Sequence, residues 1–394
     1  MPNESKSRHV HLAVSLDGAG YHPAAWRDPS SRPHELFGAD HWVAQARLAE
    51  QGLLDFVSFD DEFGMQSGRR REVDTHTDQV RGRLDAVLVA SRVAPATERI
   101  GLVPVATVTY PEPFHIASAV STLDWISKGR GGWQPRVSGR PSDAELVGVR
   151  SAPDPETGLR DLFDEAADVV DVVRRLWDSW EDDAIIKDVA TGRFVDREKL
   201  HYVDFEGAFF SVKGPSIVPR PPQGQPVVAV LAHQPIPFEF AARSGDVVFV
   251  TPADTDDVPR WIAHVRDAEE AVGRTDPALR LFTDLVVYLA PTRDEAVARK
   301  ADLDELAGFE HRSDAPSFTG TADELVELVA AWHDLGVDGF RLRPAVAGRD
   351  LPAIVADVVP RLQHSELFRR AYEPGTLRDR LGLARPVSRY ARSA

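Results

Sequence analysis

A chain of 394 residues with 43% hydrophobic and 27% charged side chains has ordinary globular composition and enough apolar mass for a large core. Its formal charge of −16 argues against nucleic acid or an anionic membrane as a partner, because both demand a basic footprint. With no cysteine, disulfides, thiolate metal sites, iron–sulfur clusters and a cysteine nucleophile are excluded, so metal or redox work needs other ligands or an organic cofactor.

The first segment, MPNESKSRHVHLAV, carries no apolar stretch suited to a signal peptide, and no later run approaches the roughly 20 apolar residues of a membrane span. The chain is therefore read as cytoplasmic. Short β-rich apolar runs follow at 9–16, 54–60, 99–109, 131–138, 225–232, 246–251, 280–290 and 339–343. Segments of helical period alternate with them, at 40–51, 77–93, 113–127, 161–180, 257–272, 292–306 and 321–335. Eight strands alternating with helices predict an α/β fold, a (β/α)8 TIM barrel forming a single domain. In the second helix Val80, Leu84, Val87, Leu88 and Ser91 recur at helical spacing and form the expected sheet-facing stripe. Thr321-Ala322-Asp323-Glu324 reads as a capping box and Gly336 as a helix stop. Residues 181–225 are too long for an ordinary connection, so they are read as an insertion between helix four and strand five that shapes a substrate entrance. A helix at 351–363 and a C-terminal extension at about 364–394 complete the chain, with 384–394 expected to be loose.

In such a barrel the site lies at the C-terminal ends of the strands. That rule selects Asp60 and Asp61 after strand two, Thr107 and Thr109 after strand three and Ser138 after strand four. It also selects His233 and Gln234 after strand five and Arg341 or Arg343 on strand eight. A glycosidase-like pairing of Asp60 with Asp61 is disfavoured, since neighbours in a strand point to opposite faces. There is no Gly-x-Ser-x-Gly elbow, no His-Glu-x-x-His zinc motif, and no Gly-x-Gly-x-x-Gly after a strand for a nicotinamide dinucleotide.

GYHPAAWR (20–27), LLDFVSFDDEF (53–63), TYPEPFHIAS…STLDWISKGRGGW (109–133), RLWDSWEDDA (175–184), GAFFSVKGP…PRPPQGQP (207–226), GTADELVELV…GVDGFRLRP (320–344) and LFRRAYEPGTLRDRLGL (367–383) are similar, in order, to segments of the bacterial luciferase-like flavin monooxygenases. The branch they resemble includes nitrilotriacetate monooxygenase component A. The resemblance implies a two-component system: a separate NAD(P)H:flavin reductase supplies reduced FMN, and this chain uses it with O2 to oxygenate a small organic substrate. It further implies that Asp60 or Asp61, Asp61 aligning better, contacts the edge of the flavin ring, with Thr107 and Thr109 nearby. Tyr21, His22 and Trp26 stand where the family places catalytic-loop residues. A homodimer or homotetramer is the usual assembly.

Departures from the pattern concern the cofactor. Relatives tend to carry Gln-Ala-Gly-x-Ser-x-x-Gly after strand five, whose backbone N–H groups hold the FMN phosphate. Here Val230-Leu231-Ala232-His233-Gln234-Pro235-Ile236-Pro237 stands in its place, with two prolines that have no N–H to offer. Trp133-Gln134-Pro135-Arg136-Val137-Ser138 and the pair Leu162-Phe163 also depart from what relatives carry. Arg136, Arg140 and His233 could supply cationic replacements. Three readings stay open: an FMN-dependent monooxygenase with an altered phosphate site, an oxidoreductase using the deazaflavin F420, and a non-catalytic paralogue that has lost the flavin.

Overall fold

Parallel strands buried on both faces read as continuous apolar runs, and the structure, a computed structural model describing residues 9–66, 75–152, 154 and 158–391, places a strand at each such run. In chain order the strands are β1 (His11–Leu16), β2 (Phe56–Phe59), β3 (Gly101–Thr107), β4 (Gly132–Arg136), β5 (Ile185–Asp188), β6 (Arg193–Val195), β7 (Phe205–Glu206), β8 (Ser211–Val212), β9 (Val227–Leu231), β10 (Val247–Val250), β11 (Arg280–Leu289), β12 (Ser317–Gly320) and β13 (Gly339–Pro344). The helices are α1 (Ala39–Gln51), α2 (Ala86–Val93), α3 (Pro113–Ile126), α4 (Pro141–Val147), α5 (Gly158–Asp178), α6 (Pro235–Ser244), α7 (Val258–Ala271), α8 (Arg293–Ala307), α9 (Ala322–Leu335), α10 (Ala347–Ala353), α11 (Val359–His364) and α12 (Leu377–Arg380).

Eight parallel strands close on themselves in the order β1-β2-β3-β4-β9-β10-β11-β13, with β13 pairing back onto β1. Strand alternation divides each strand between two cores. Leu12, Val14 and Leu16 of β1 join the large layer under the helices, whereas Ala13 joins Phe56, Phe249 and Phe282 inside the barrel. Expectation and structure differ at β12, a ninth strand lying outside the barrel and paired with the far half of the long β11. It is four residues long and mostly half-exposed, too little for a periodic signal.

The helix expected at 77–93 begins only at Ala86. Gly82 stands at φ +89, and Asp85 caps α2 by accepting the Leu88 N–H. Of the expected stripe, Val80 and Leu84 therefore belong to the preceding loop and Leu88 is exposed, while Ala86, Val89, Ala90 and Val93 face the core. The capping box at Thr321 and the left-handed Gly336 are both present.

Residues 181–225 do form an excursion between α5 and β9, built on two hairpins, β5–β6 and β7–β8. It does not shape the barrel mouth. Its anchors are Arg220 on Asp178 at 3.0 Å and Gln223 on Asp124, and both carboxylates lie in the last turns of α5 and α3, at the end away from the C-terminal ends of the strands. The C-terminal extension closes the same end: Leu377, Leu381 and Leu383 plug the barrel interior against Phe56, Val103 and Val247. The last described residues are also held, Arg385 by Asp182 at 2.6 Å and Tyr390 stacked on His201, contrary to the loose end expected from 384 onward. Among the described residues no helix is long and apolar enough to cross a membrane.

Candidate active site

Both the insertion and the tail lie at one end, so the other end, where the strands terminate, is left for chemistry. A cavity of about 480 Å³ opens there, with Ser15, Gln134, Arg341 and Arg343 on its barrel side and Phe163, Leu231 and Phe240 on one wall. Its floor is ionic. The Arg341 guanidinium lies over the Phe249 ring at 3.6 Å, donates to both oxygens of Asp284 at 2.7 and 2.5 Å, and reaches the Gln134 Oε1 at 2.6 Å. Asp284 is fully buried and also accepts from Arg343, which bonds Asp314 at 2.6 Å on its other side. Burial would lower the Arg343 pKa, but Asp284 and Asp314 outweigh it and hold the charge firmly.

The mouth carries a second lattice. Asp60 accepts from Arg136 at 2.9 Å, and Glu62 is shared by Arg83, Arg136 and Arg140 at 2.5, 3.2 and 3.1 Å. Arg83 in turn binds Asp17 at 2.7 Å. Burial pushes the Asp60 pKa up, yet Arg136 and Arg83 prevail and keep it below the usual carboxylate range. An adjoining chamber of about 630 Å³ shares Tyr21, Asp60 and Asp314 with the inner cavity.

Tyr21 is positioned by its backbone. The loop after β1 runs along the end of β13, with the Tyr21 and His22 N–H groups on the Pro344 and Ala345 carbonyls. Gly20 makes this approach possible: at φ +135, a Cβ would sit 2.4 Å from the Ala345 oxygen. The Tyr21 hydroxyl meets Ser15 Oγ at 2.6 Å, and burial raises its pKa, so it stays protonated.

The residues selected from the sequence divide into three groups. Tyr21, Asp60 and Arg136 line the inner cavity. His22, Trp26, Asp61, Thr107, Thr109 and Ser138 serve the frame around it. The His22 Nδ1 accepts the Ala24 N–H and its Nε2 donates to Asp304 at 3.0 Å, so both ring nitrogens are engaged. Trp26 Nε1 donates to the Asp78 carbonyl, and Thr109 Oγ1 accepts the Ser138 N–H while Ser138 Oγ donates to Asp143. Thr107 is buried at the end of β3, opposite Arg136. Asp61, the better-aligned of the two aspartates, turns to accept the Ala86 N–H at the start of α2, and burial lifts its pKa to about 6. His233 and Gln234 form the third group and line a separate groove between α6 and α7, where His233 bonds Thr251. Asp17, Arg83, Glu62, Asp284 and Asp314 were not selected. Asp284 carried a signal, as the single carboxylate in the mainly apolar strand β11.

A parallel barrel closed at its N-terminal end and open onto a polar cavity at the other is the architecture of α/β-barrel enzymes. Residues 19–316 match the family described as luciferase-like monooxygenase. The chain belongs to that family. It is 29% identical to N-acetyl-S-(2-succino)cysteine monooxygenase of Bacillus subtilis (strain 168), with 98% of this chain and 100% of that protein covered. It is also 29% identical to nitrilotriacetate monooxygenase component A of Aminobacter aminovorans, covering 98% and 99%. The crystal structure of a long-chain alkane monooxygenase has the same fold, with a TM-score of 0.86 over 95% of this chain and 96% of that one at 24% identity.

The resemblance places an FMN phosphate at the N-terminus of α6, and the residues present there do not fit it. Pro235 and Pro237 leave Ile236 as the one N–H donor ahead of Phe238, whose N–H is already bonded to the Gln234 carbonyl. Gln234, the N-cap, makes no side-chain capping bond. Arg136 and Arg140, the expected replacements, are committed to Asp60 and Glu62.

Proposed function

We propose that this chain is the oxygenating component of a flavin-dependent monooxygenase, fed with reduced flavin by a separate NAD(P)H:flavin reductase and acting on a small organic substrate. The observation that carries the reading is the 480 Å³ cavity at the C-terminal end of a barrel of this family, with an amide, guanidinium groups and a tyrosine hydroxyl set against aromatic and aliphatic walls. Its many polar and charged groups offer hydrogen bonds to the edges and tail of a flat heterocycle, while Phe163, Leu231 and Phe240 offer apolar surface to its ring. Reduced flavin, O2 and substrate S give oxidised flavin, SO and water, the flavin supplying the two electrons and two protons that the second oxygen atom needs.

The chain's own residues bind, orient and exclude water. Gln134 is fixed by Arg341 through its Oε1, which leaves its N–H2 group for a ligand. The Tyr21 hydroxyl, kept protonated, acts as a hydrogen-bond donor rather than a base. Asp60 and Arg136 close the mouth, while Asp61, Thr107, Thr109, Ser138, His22 and Trp26 hold the loops that shape it.

The test is anaerobic fluorescence titration of the purified chain with reduced flavin, followed by O2. Binding, and reoxidation slower than in buffer, support the reading. Binding of reduced F420 instead would move the chain to the deazaflavin oxidoreductases, and binding of neither would leave a partner subunit without flavin.

A further inference from the structure

We infer that the cavity takes its flavin without using a phosphate, so that riboflavin is bound at least as tightly as its phosphate ester FMN. The inference rests on the flavin reading above and concerns which flavin is selected. Four arginines line the cavity, and each is matched by a carboxylate: Arg136 by Asp60 at 2.9 Å, Arg140 by Glu62 at 3.1 Å, Arg341 by Asp284 at 2.5 Å and Arg343 by Asp314 at 2.6 Å. A phosphate monoester, carrying a charge of roughly −1.5 to −2, finds no uncommitted cation among them.

To pair with Arg136 or Arg140 the phosphate must displace Asp60 or Glu62, and the displaced carboxylate would then stand beside an incoming anion. Glu62 has little room to escape, since its side chain is only 8% exposed and three arginines hold it. A buried carboxylate stripped of its partners is costly, which sets the exchange against phosphate. The dipole route is closed as well, because α6 offers one free N–H where a phosphate cradle needs several. The hydroxyls of a ribityl tail meet neither obstacle. Each can donate its O–H to a free carboxylate lone pair, which a phosphate dianion cannot do, and so binds without breaking an existing pair.

The experiment compares dissociation constants of the full chain for reduced riboflavin and reduced FMN, titrated anaerobically at low ionic strength, in the wild type and in Glu62→Gln. The variant keeps the side-chain shape but removes the negative charge shared by Arg83, Arg136 and Arg140, of which Arg140 has no other carboxylate in the lattice at the mouth. In the wild type, riboflavin should bind as tightly as FMN or more tightly. In E62Q, FMN affinity should rise about tenfold, as a newly available charge-assisted bond allows, while riboflavin affinity changes little. FMN binding tenfold tighter than riboflavin in the wild type would overturn the inference, whether or not E62Q folds, and so would an E62Q protein whose preference is unchanged. Binding of neither flavin would overturn the monooxygenase reading itself.

Discussion

Asp284 is the position where the ionic floor can be tested most directly. It is fully buried and accepts three hydrogen bonds from two guanidinium groups, Arg341 Nε and Nη2 and Arg343 Nη2, which are themselves buried. Asp284→Asn keeps the volume, removes the charge and turns an amide N–H2 toward a guanidinium donor. Breaking a buried ion pair by removing one partner costs about 3–5 kcal/mol. Arg341 would keep Gln134 and Arg343 would keep Asp314, so the lower end, about 3 kcal/mol, is expected. A chain of 394 residues unfolds with an entropy of about 0.8 kcal/mol/K, so the midpoint in scanning calorimetry should fall by about 4 °C. Adding Arg341→Met to D284N restores the local charge balance and should recover part of the loss, a coupling that a double-mutant cycle measures. A D284N midpoint within about 1 °C of wild type, or strictly additive single and double variants, would refute an ion-paired floor.

Three further outcomes are expected. Asp61 has its pKa raised to about 6 by burial, so the folded state binds a proton more tightly than the unfolded chain and stability falls as pH rises from about 4 to 6; Asp61→Asn should remove that fall, and urea midpoints of the two proteins should converge below pH 4. His22→Asn should lower stability by about 1–3 kcal/mol through its two buried hydrogen bonds, yet leave the pH profile of flavin binding unchanged; a shifted profile would show that the ring titrates in the site. Leu381→Ala, in the plug at the far end, should cost about 2–5 kcal/mol in urea unfolding with flavin affinity unaltered.

The barrel was legible because its signal is local: each strand is an apolar run, and each run lies between turn residues or helix caps. The helix misplaced at 77–93 shows where local reading stops. Val80 and Leu84 are spaced as a helical stripe but border the cleft at the mouth, and Arg83 between them pairs with Asp17. Gly82 and the Asp85 cap carried the opposing signal. The site was half legible. The barrel rule, which depends on strand ends alone, pointed to Asp60, Arg341 and Arg343, which line the cavity, and Arg136 entered as a candidate cation. Their partners escaped it, since Arg136 meets a carboxylate 76 positions away and Arg341 one 57 away, and nothing in the intervening sequence marks which charges will cancel.

The same division explains how a chain can resemble its family from end to end and still depart from it at the cofactor. RLWDSWEDDA, PRPPQGQP and LFRRAYEPGTLRDRLGL are among the segments that carry the resemblance, and the structure gathers them at the closed end of the barrel. There Arg220 binds Asp178 and Asp182, Gln223 caps the polar groups of Asp124 and Gly131, and Arg378 binds Asp246 at the start of β10. These contacts hold the insertion and tail onto the barrel and lie apart from the cavity. The loop after β9 is held more lightly: His233-Gln234-Pro235-Ile236-Pro237 starts α6 without a side-chain capping bond, and its one side-chain hydrogen bond among the described residues is His233 to Thr251. Similarity at the closed end thus certifies the architecture rather than the ligand, and function is a property of the grafted site rather than of the barrel. It follows that substitutions which restore donors at this loop, Pro235→Gly and Pro237→Gly, should tighten FMN binding while lowering unfolding stability by no more than the backbone entropy of two glycines, about 1–2 kcal/mol, and unchanged FMN affinity would place the phosphate elsewhere.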